Sequence, residues 1–238
     1  MLKLSQLFYS PQITHQQATL SEEESRHCVK VLRMKKSDEL HLTDGKGNLF
    51  LAKIAEPHHK KCVLDIVHTI EQTPAPLYHI HVAIAPTKNI DRIEWFVEKS
   101  VEFGIQQISF VQCDRSERKQ IKLPRIQKIA LSAMKQSLKF FMPQINEMVN
   151  FKNFMADLTP GETRYVAHLN EGERVFLKDV AQKHQKYCIL IGPEGDFTPG
   201  EVTLALNNEF KAVSLGNSRL RTETAGIAAC HLLNIVNE

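Results

Sequence analysis

Two loops near the carboxyl end carry residue types that can hold a ligand and meet a developing charge. The first follows the apolar run Cys188-Ile189-Leu190-Ile191 and reads Gly192-Pro193-Glu194-Gly195-Asp196-Phe197, then Thr198-Pro199-Gly200-Glu201. Thr198 suits a helix N-cap, Pro199 the first helical position, and Glu201 completes a capping box, so the segment reads as strand, glycine-bearing turn and helix start. Gly192 and Gly195 lack a Cβ and let backbone approach a ligand closely. A tight β–α turn that needs glycine for its geometry alone accounts for the same residues. The spacing fits neither G-x-G-x-x-G nor the P-loop lysine motif, which removes the main support for a dinucleotide or a nucleoside triphosphate.

The second loop follows Val213-Ser214-Leu215 and reads Gly216-Asn217-Ser218-Arg219-Leu220-Arg221-Thr222-Glu223-Thr224-Ala225-Gly226 before an apolar helix. Capping and the helix macrodipole explain Thr222 and Glu223 at a helix start. They do not explain Arg219 and Arg221, because cations are disfavoured there. An arginine so placed has an anion or a carboxylate to meet.

Other groups offer less. Cys28, Cys62, Cys113, Cys188 and Cys230 are scattered and odd in number, with no C-x-x-C, so they read as reduced core residues. His58-His59 and His79-x-His81 have no Cys or acidic partner at ligand spacing, and no metal is expected. Charge is more informative. Between Arg115 and Lys139 eight basic residues face Glu117 alone, a net +7 in 25 residues, while the whole chain carries only +3. So lopsided a stretch points to a polyanionic partner such as nucleic acid, with a plain solvated face as the alternative.

The elements that position these residues follow from periodicity and punctuation. The chain has 238 residues, 42% hydrophobic and 24% charged, which excludes disorder, collagen-like repeats and a disulfide miniprotein. No apolar run has the length of a membrane span, and the amino-terminal residues lack a signal-peptide pattern, so the cytoplasm is the expected compartment. The first 72 residues read as β: strands at Leu2–Tyr9, Leu40–Thr43, Asn48–Ile54 and Lys61–Ile70, with a turn at Asp44-Gly45-Lys46-Gly47-Asn48. One helix interrupts them, capped by Ser21 with Glu24 completing a capping box, and presents Arg26, Lys30 and Arg33 on a basic face. A small barrel with one helix fits this pattern.

Thr73-Pro74-Ala75-Pro76 marks a linker, giving domains at 1–72 and 77–238. The second domain alternates strand and helix. Strands are expected at Tyr78–Ala85, Gln107–Gln112, Gln144–Met148, Arg164–His168, Tyr187–Ile191 and Ala212–Leu215. Helices are expected through Ile93-Phe96-Val97-Val101, over Pro124–Leu138, near Asn150–Asp157, and from Pro199 and Thr222. This is an α/β pattern with a mostly parallel sheet between helices, and ligands of such sheets bind at the strands' carboxyl ends. The segment after the first strand of this domain, Ala85-Pro86-Thr87-Lys88, lacks the glycine-rich turn of a Rossmann methyltransferase or dehydrogenase.

Gly192-Pro193-Glu194-Gly195, Leu215-Gly216 and Leu220-Arg221-Thr222-Glu223-Thr224-Ala225 together resemble the paired loops of the SPOUT methyltransferases. The similarity is to the RsmE type, which methylates N3 of a uridine in 16S ribosomal RNA. Arg26-His27 to Arg33, with Asp44-Gly45-Lys46-Gly47, is similar to that family's PUA-like RNA-binding β-barrel. Lys99 to Gly104, Arg115-Ser116 and Gln136-Ser137 fit its first methyltransferase segments. Three places depart from the pattern: Phe103 stands for Leu in Glu-Leu-Gly, Asp196 replaces a second glycine, and Arg219 is displaced by one position.

The resemblance implies a homodimer whose C-terminal α/β domain is a SPOUT trefoil knot with a parallel sheet. It implies S-adenosylmethionine held by the loops containing His168, Leu169, Leu190, Gly192, Glu194, Gly195, Leu215, Gly216, Ser218 and Leu220. Arg221 is then the group that stabilises the uridine anion at its carbonyl oxygens or meets a nearby phosphate, and Glu223 the general base or the residue orienting Arg221, with helix capping as its structural alternative. RNA is expected on Arg26, Lys30, Arg33, Arg115, Arg118, Lys119, Lys122, Arg125 and Arg219, as free 16S rRNA or a small-subunit particle. Two alternatives accompany this reading: a non-catalytic rRNA-binding or assembly protein on the same fold, and methylation of another RNA position.

Overall fold

The computed structural model describes residues 6–168 and 175–238. Leu169, an expected cofactor contact, and the start of the first expected strand lie outside the described residues. Two compact units are present: Met1–Ala75 with Met134–Met142, and Pro76–Ala133 with Pro143–Glu238.

The first unit contains β1 (Leu7–Tyr9), β2 (Ile13–Thr14), β3 (Gln17–Thr19), β4 (Glu39–Thr43), β5 (Asn48–Glu56) and β6 (Val63–Gln72) in one six-stranded sheet of order β1-β4-β5-β6-β3-β2. Its β1–β4 pair is parallel and the remaining pairs are antiparallel. Phe8, Leu20, Leu42, Ile54 and Leu64 pack its interior with the thiols of Cys28 and Cys62. Between β4 and β5, Asp44 Oδ1 accepts from the amides of Lys46 and Asn48, an Asx-type closure of the expected turn.

Ser21 caps α1 (Glu22–Arg26) by accepting from the Glu24 amide at 3.2 Å. The reciprocal half of the expected capping box is absent. The Glu24 carboxylate instead accepts from the Tyr9 amide at 3.3 Å and pairs with Lys135, because burial gives it stronger partners than the exposed cap. The helix continues as a π turn over His27–Val31, closed by the Leu32 amide on the His27 carbonyl. Arg26, Lys30 and Arg33 all point to solvent from this stretch.

The second unit holds β7 (His79–Ile84), α2 (Ile90–Glu102), β8 (Gln107–Gln112), α3 (Leu123–Gln136, whose last residues belong to the first unit), β9 (Gln144–Asn150), α4 (Phe151–Ala156), β10 (Thr163–Ala167), β11 (Val175–Phe176), α5 (Leu177–Val180), β12 (Lys186–Ile191), α6 (Pro199–Asn207), β13 (Lys211–Ser214) and α7 (Thr222–Asn237). Its sheet runs β11-β13-β10-β12-β7-β8-β9, with parallel pairing throughout. This is the α/β architecture the alternating pattern predicts. Central strands buried on both faces read as unbroken apolar runs, as Cys188-Ile189-Leu190-Ile191 does.

Helix α2 buries Ile93, Phe96, Val97 and Val101, the stripe its spacing predicts, and Asn89 caps it. The Thr198/Glu201 capping box at α6 is complete in both directions. No disulfide joins the five cysteines, all of which are buried. The strand β11 and helix α5 were not expected; two and four residues are too short to show a period.

Candidate functional site

The carboxyl ends of the neighbouring strands β13, β10 and β12, together with the start of α7, enclose a cleft of about 760 Å³. Ala167 and His168 line it at the end of β10, Ile191 to Glu194 and Asp196 at the end of β12 and in the turn that follows, and residues 213–222 from the end of β13 to the start of α7; Arg92, Phe176 and Ala225 complete the wall. Of the expected cofactor contacts, His168, Gly192, Glu194, Leu215, Gly216, Ser218 and Leu220 line the cleft. Leu190 is instead fully buried in the core behind it, and Gly195 packs against Arg115. Arg219 and Arg221 face the cleft as well.

The loop between β13 and α7 has neither helix nor strand from Leu215 to Arg221; the Ser214 hydroxyl engages both the amide and the carbonyl of Gly216, and the Arg221 carbonyl accepts from Ala225. Gly216 sits at φ +141 with open space where a Cβ would project, a conformation that favours glycine. The glycines of the first loop answer to packing. A Cβ on Gly192 would come within 3.0 Å of the Phe197 ring, and one on Gly195 within 3.3 Å of Arg115 Cβ. Asp196, which departs from the glycine of the family pattern, takes a left-handed φ of +61 and accepts from the Phe197 amide through Oδ1. Short polar side chains tolerate this region best among non-glycine residues.

Side chains tie these loops to one another. The Thr222 hydroxyl donates to the Gly192 carbonyl at 3.0 Å in a buried position. The sequence casts Thr222 as a helix cap, but Arg221 occupies the N-cap of α7 without a side-chain cap, and Thr222 joins the two chemistry-bearing loops. Glu194 accepts from the Lys88 amide at 2.9 Å. Arg115 donates to the Gly195 carbonyl at 2.8 Å, and Arg118 donates to the carbonyls of Thr87 and Lys88. The Lys88 ammonium is held above its ordinary pKa, first by Glu117 at 2.8 Å and then by the field of Glu194.

Within the basic stretch, Arg115 and Arg118 thus brace loop carbonyls, Arg125 pairs with Glu94, and Lys119 and Lys122 are exposed.

Glu223, in the first turn of α7, is only 5% exposed. Its Oε1 lies 3.7 Å from Arg92 Nε, and its buried Oε2 has no hydrogen-bond partner. A buried carboxylate beside a half-exposed arginine at the edge of a cleft is a charge held ready for a polar ligand. Sequence reasoning missed Arg92. Its one signal is its place in the first turn of α2 after the Asn89 cap, where a cation opposes the helix dipole.

Both signs of charge therefore meet at the cleft: Arg92, Arg219 and Arg221 against Glu194, Asp196 and the adjacent Glu223. Such a set fits a ligand that carries both positive and negative groups.

Residues 73–234 match the RNA methyltransferase domain family, and residues 20–67 match the RNA methyltransferase PUA domain. A probable rRNA-methyltransferase from Porphyromonas gingivalis has a similar crystal structure, with TM-score 0.88, 41% identity and 98% of each chain covered. The ribosomal RNA small subunit methyltransferase E of Neisseria gonorrhoeae, solved bound to S-adenosyl methionine, gives TM-score 0.85 at 27% identity, again over 98% of each chain. The protein of the same name from Buchnera aphidicola is 28% identical over 216 residues, covering 88% of this chain and 84% of its own.

Proposed function

The chain belongs to the RNA methyltransferase family, and from that premise we propose that it transfers a methyl group from S-adenosylmethionine to N3 of a uridine in 16S ribosomal RNA. The observation that carries this reading is the cleft at the carboxyl ends of β10, β12 and β13, where both chemistry-bearing loops converge and are joined by Thr222 and Gly192. A relative with the same fold holds S-adenosyl methionine. When bound, this cofactor supplies an electrophilic methyl on a sulfonium.

The chain's own tasks are binding, alignment and charge stabilisation. The backbone of residues 191–194 and 215–220 holds adenine and ribose, His168 borders the same ligand, and Arg219 meets RNA. Uridine N3 carries a proton on its pairing edge, so the base must be unpaired or extruded before the nitrogen lone pair is available. Arg221, facing the cleft, stabilises negative charge at the uracil carbonyl oxygens. Glu223 either accepts the N3 proton or orients an arginine, and the arginine beside it is Arg92, at 3.7 Å, in place of the expected Arg221. Arg26, Lys30 and Arg33 in the first unit and Lys119 and Lys122 in the second supply phosphate contacts. A homodimer, a trefoil knot in the second unit and a cytoplasmic place of work complete the reading. Among the described residues, no helix is long and apolar enough to cross a membrane.

Calorimetry with S-adenosylhomocysteine, followed by mass mapping of methylated nucleotides in 16S rRNA, tests the proposal. Binding together with a single new methyl on uridine N3 supports it. RNA affinity without cofactor binding identifies a non-catalytic rRNA-binding protein, and a methyl elsewhere identifies a different target. Arg221→Ala and Glu223→Gln variants that bind cofactor and keep the full rate refute the assigned roles.

A further inference from the structure

Spacing along the chain gives His81 no ligand partner, but the folded sheet does. Parallel pairing of β7 with β12 sets His81 directly beside Cys188, and Glu162 immediately precedes β10 on the far side of β12. All three lie toward the amino ends of their strands, away from the cleft. We propose that His81, Glu162 and Cys188 form a binding site for a divalent cation of the zinc class.

The three donor atoms lie within 4.8 Å of one another. Imidazole, carboxylate and thiolate at zinc distances of about 2.0–2.3 Å stand about 3.5 Å apart in a tetrahedron, so the widest pair must close by about 1.3 Å, within the reach of side-chain rotation. The side chains of His81 and Glu162 are 6% and 3% exposed, and Cys188 is fully buried. His81 Nδ1 has no hydrogen bond and lies 3.8 Å from Glu162 Oε1.

The other ring nitrogen is already committed. His81 Nε2 is 2.8 Å from Ser109 Oγ, which also accepts from Asn146 Nδ2 at 2.8 Å. With Nε2–H donating to Ser109, Nδ1 presents its lone pair toward Glu162 and Cys188, the arrangement by which outer groups orient a metal-bound histidine. A cavity of about 240 Å³ bordered by His81, Ser109, Asn146, Asp157 and Glu162 leaves room for water as a fourth ligand.

Charge supports the same occupant. A divalent cation neutralises a thiolate and a carboxylate together and removes the cost of holding the carboxylate in this interior.

The test uses the full-length protein, stripped of metal and titrated with Co²⁺ as a spectroscopic probe. The expected result is one bound equivalent with thiolate-to-cobalt charge-transfer absorption, displaced by Zn²⁺. The absorption should vanish in Cys188→Ala and persist in Cys28→Ala, which removes a thiol of the first unit. Ser109→Ala should weaken binding about tenfold or more by freeing the imidazole. No charge-transfer band in the wild-type protein, or an unchanged band in Cys188→Ala, overturns the proposal. If circular dichroism shows that Cys188→Ala is unfolded, Glu162→Gln decides: weakened cobalt binding supports the site, and unchanged affinity overturns it.

Discussion

Replacing Gly226 with alanine sets two effects of opposite sign against each other, and the geometry decides between them. The residue lies inside α7, where exchanging glycine for alanine ordinarily gains about 1 kcal/mol of helix stability. Here an added Cβ would fall 2.6 and 2.8 Å from two Phe96 ring carbons and 3.0 Å from Ile84 Cδ1. Relaxed carbon contacts are about 3.5–4.0 Å, so α7 would have to withdraw from α2 and β7 by on the order of 1 Å. Phe96 and Ile84 are both fully buried and have no space to retreat.

Overpacking of this kind costs about 1–3 kcal/mol, and the closed surroundings place it at the upper end. The net effect is a destabilisation of about 1–2 kcal/mol, seen as a thermal midpoint lowered by about 2–8 °C for a chain of this size. Because Thr222 and Glu223 lie one turn earlier on the same helix, affinity for S-adenosylhomocysteine should fall in parallel. Differential scanning calorimetry and isothermal titration read the two quantities. A midpoint equal to or above that of the wild type would show that helix propensity outweighs the close approach and would refute the reasoning.

Thr222→Val keeps the shape but leaves the buried Gly192 carbonyl without its donor, so the fold should lose about 1–3 kcal/mol in urea unfolding and S-adenosylhomocysteine should bind more weakly; unchanged affinity would separate the two loops functionally. Arg115→Ala removes a charged donor from the Gly195 carbonyl and should weaken cofactor binding about tenfold while leaving the salt dependence of RNA binding unaltered, the reverse of what a phosphate contact predicts. Lys119→Ala combined with Lys122→Ala should leave cofactor affinity intact and flatten the slope of log affinity against log salt by about 1.4 on single-stranded RNA; an unchanged slope would return both lysines to plain solvated surface.

Local signals made the architecture legible. The 3.6-residue stripe of Ile93, Phe96, Val97 and Val101, the Thr198/Glu201 box and the apolar run into Gly192 each act within a few residues, and each appears in the structure. Contacts made across the sheet were not legible. The charge pattern casts Arg115 and Arg118 as surface cations, yet their guanidinium groups reach loop carbonyls, in the case of Arg115 those of Gly195 and Phe197, 80 and 82 residues away. Arg92 meets Glu223, and His81 meets Cys188, through strand and helix placement that no spacing along the chain encodes. The two glycines of the first loop show a related limit. Their presence was evident, but only the structure reveals that Phe197 and Arg115 occupy the space beside them.

The strand order has a temporal consequence. β7 must find β12, its neighbour at the middle of the second sheet, and β10 and β13 must then settle beyond it. At roughly 5–20 residues per second of synthesis, β12 emerges on the order of ten seconds after β7, and until then one edge of the nascent β7–β8–β9 layer stays uncovered. Pairings so distant along the chain make assembly slow. The cleft beside α7, completed by late-arriving segments, cannot shepherd the earlier ones, so a ligand bound there can reward only a chain that has already found its topology.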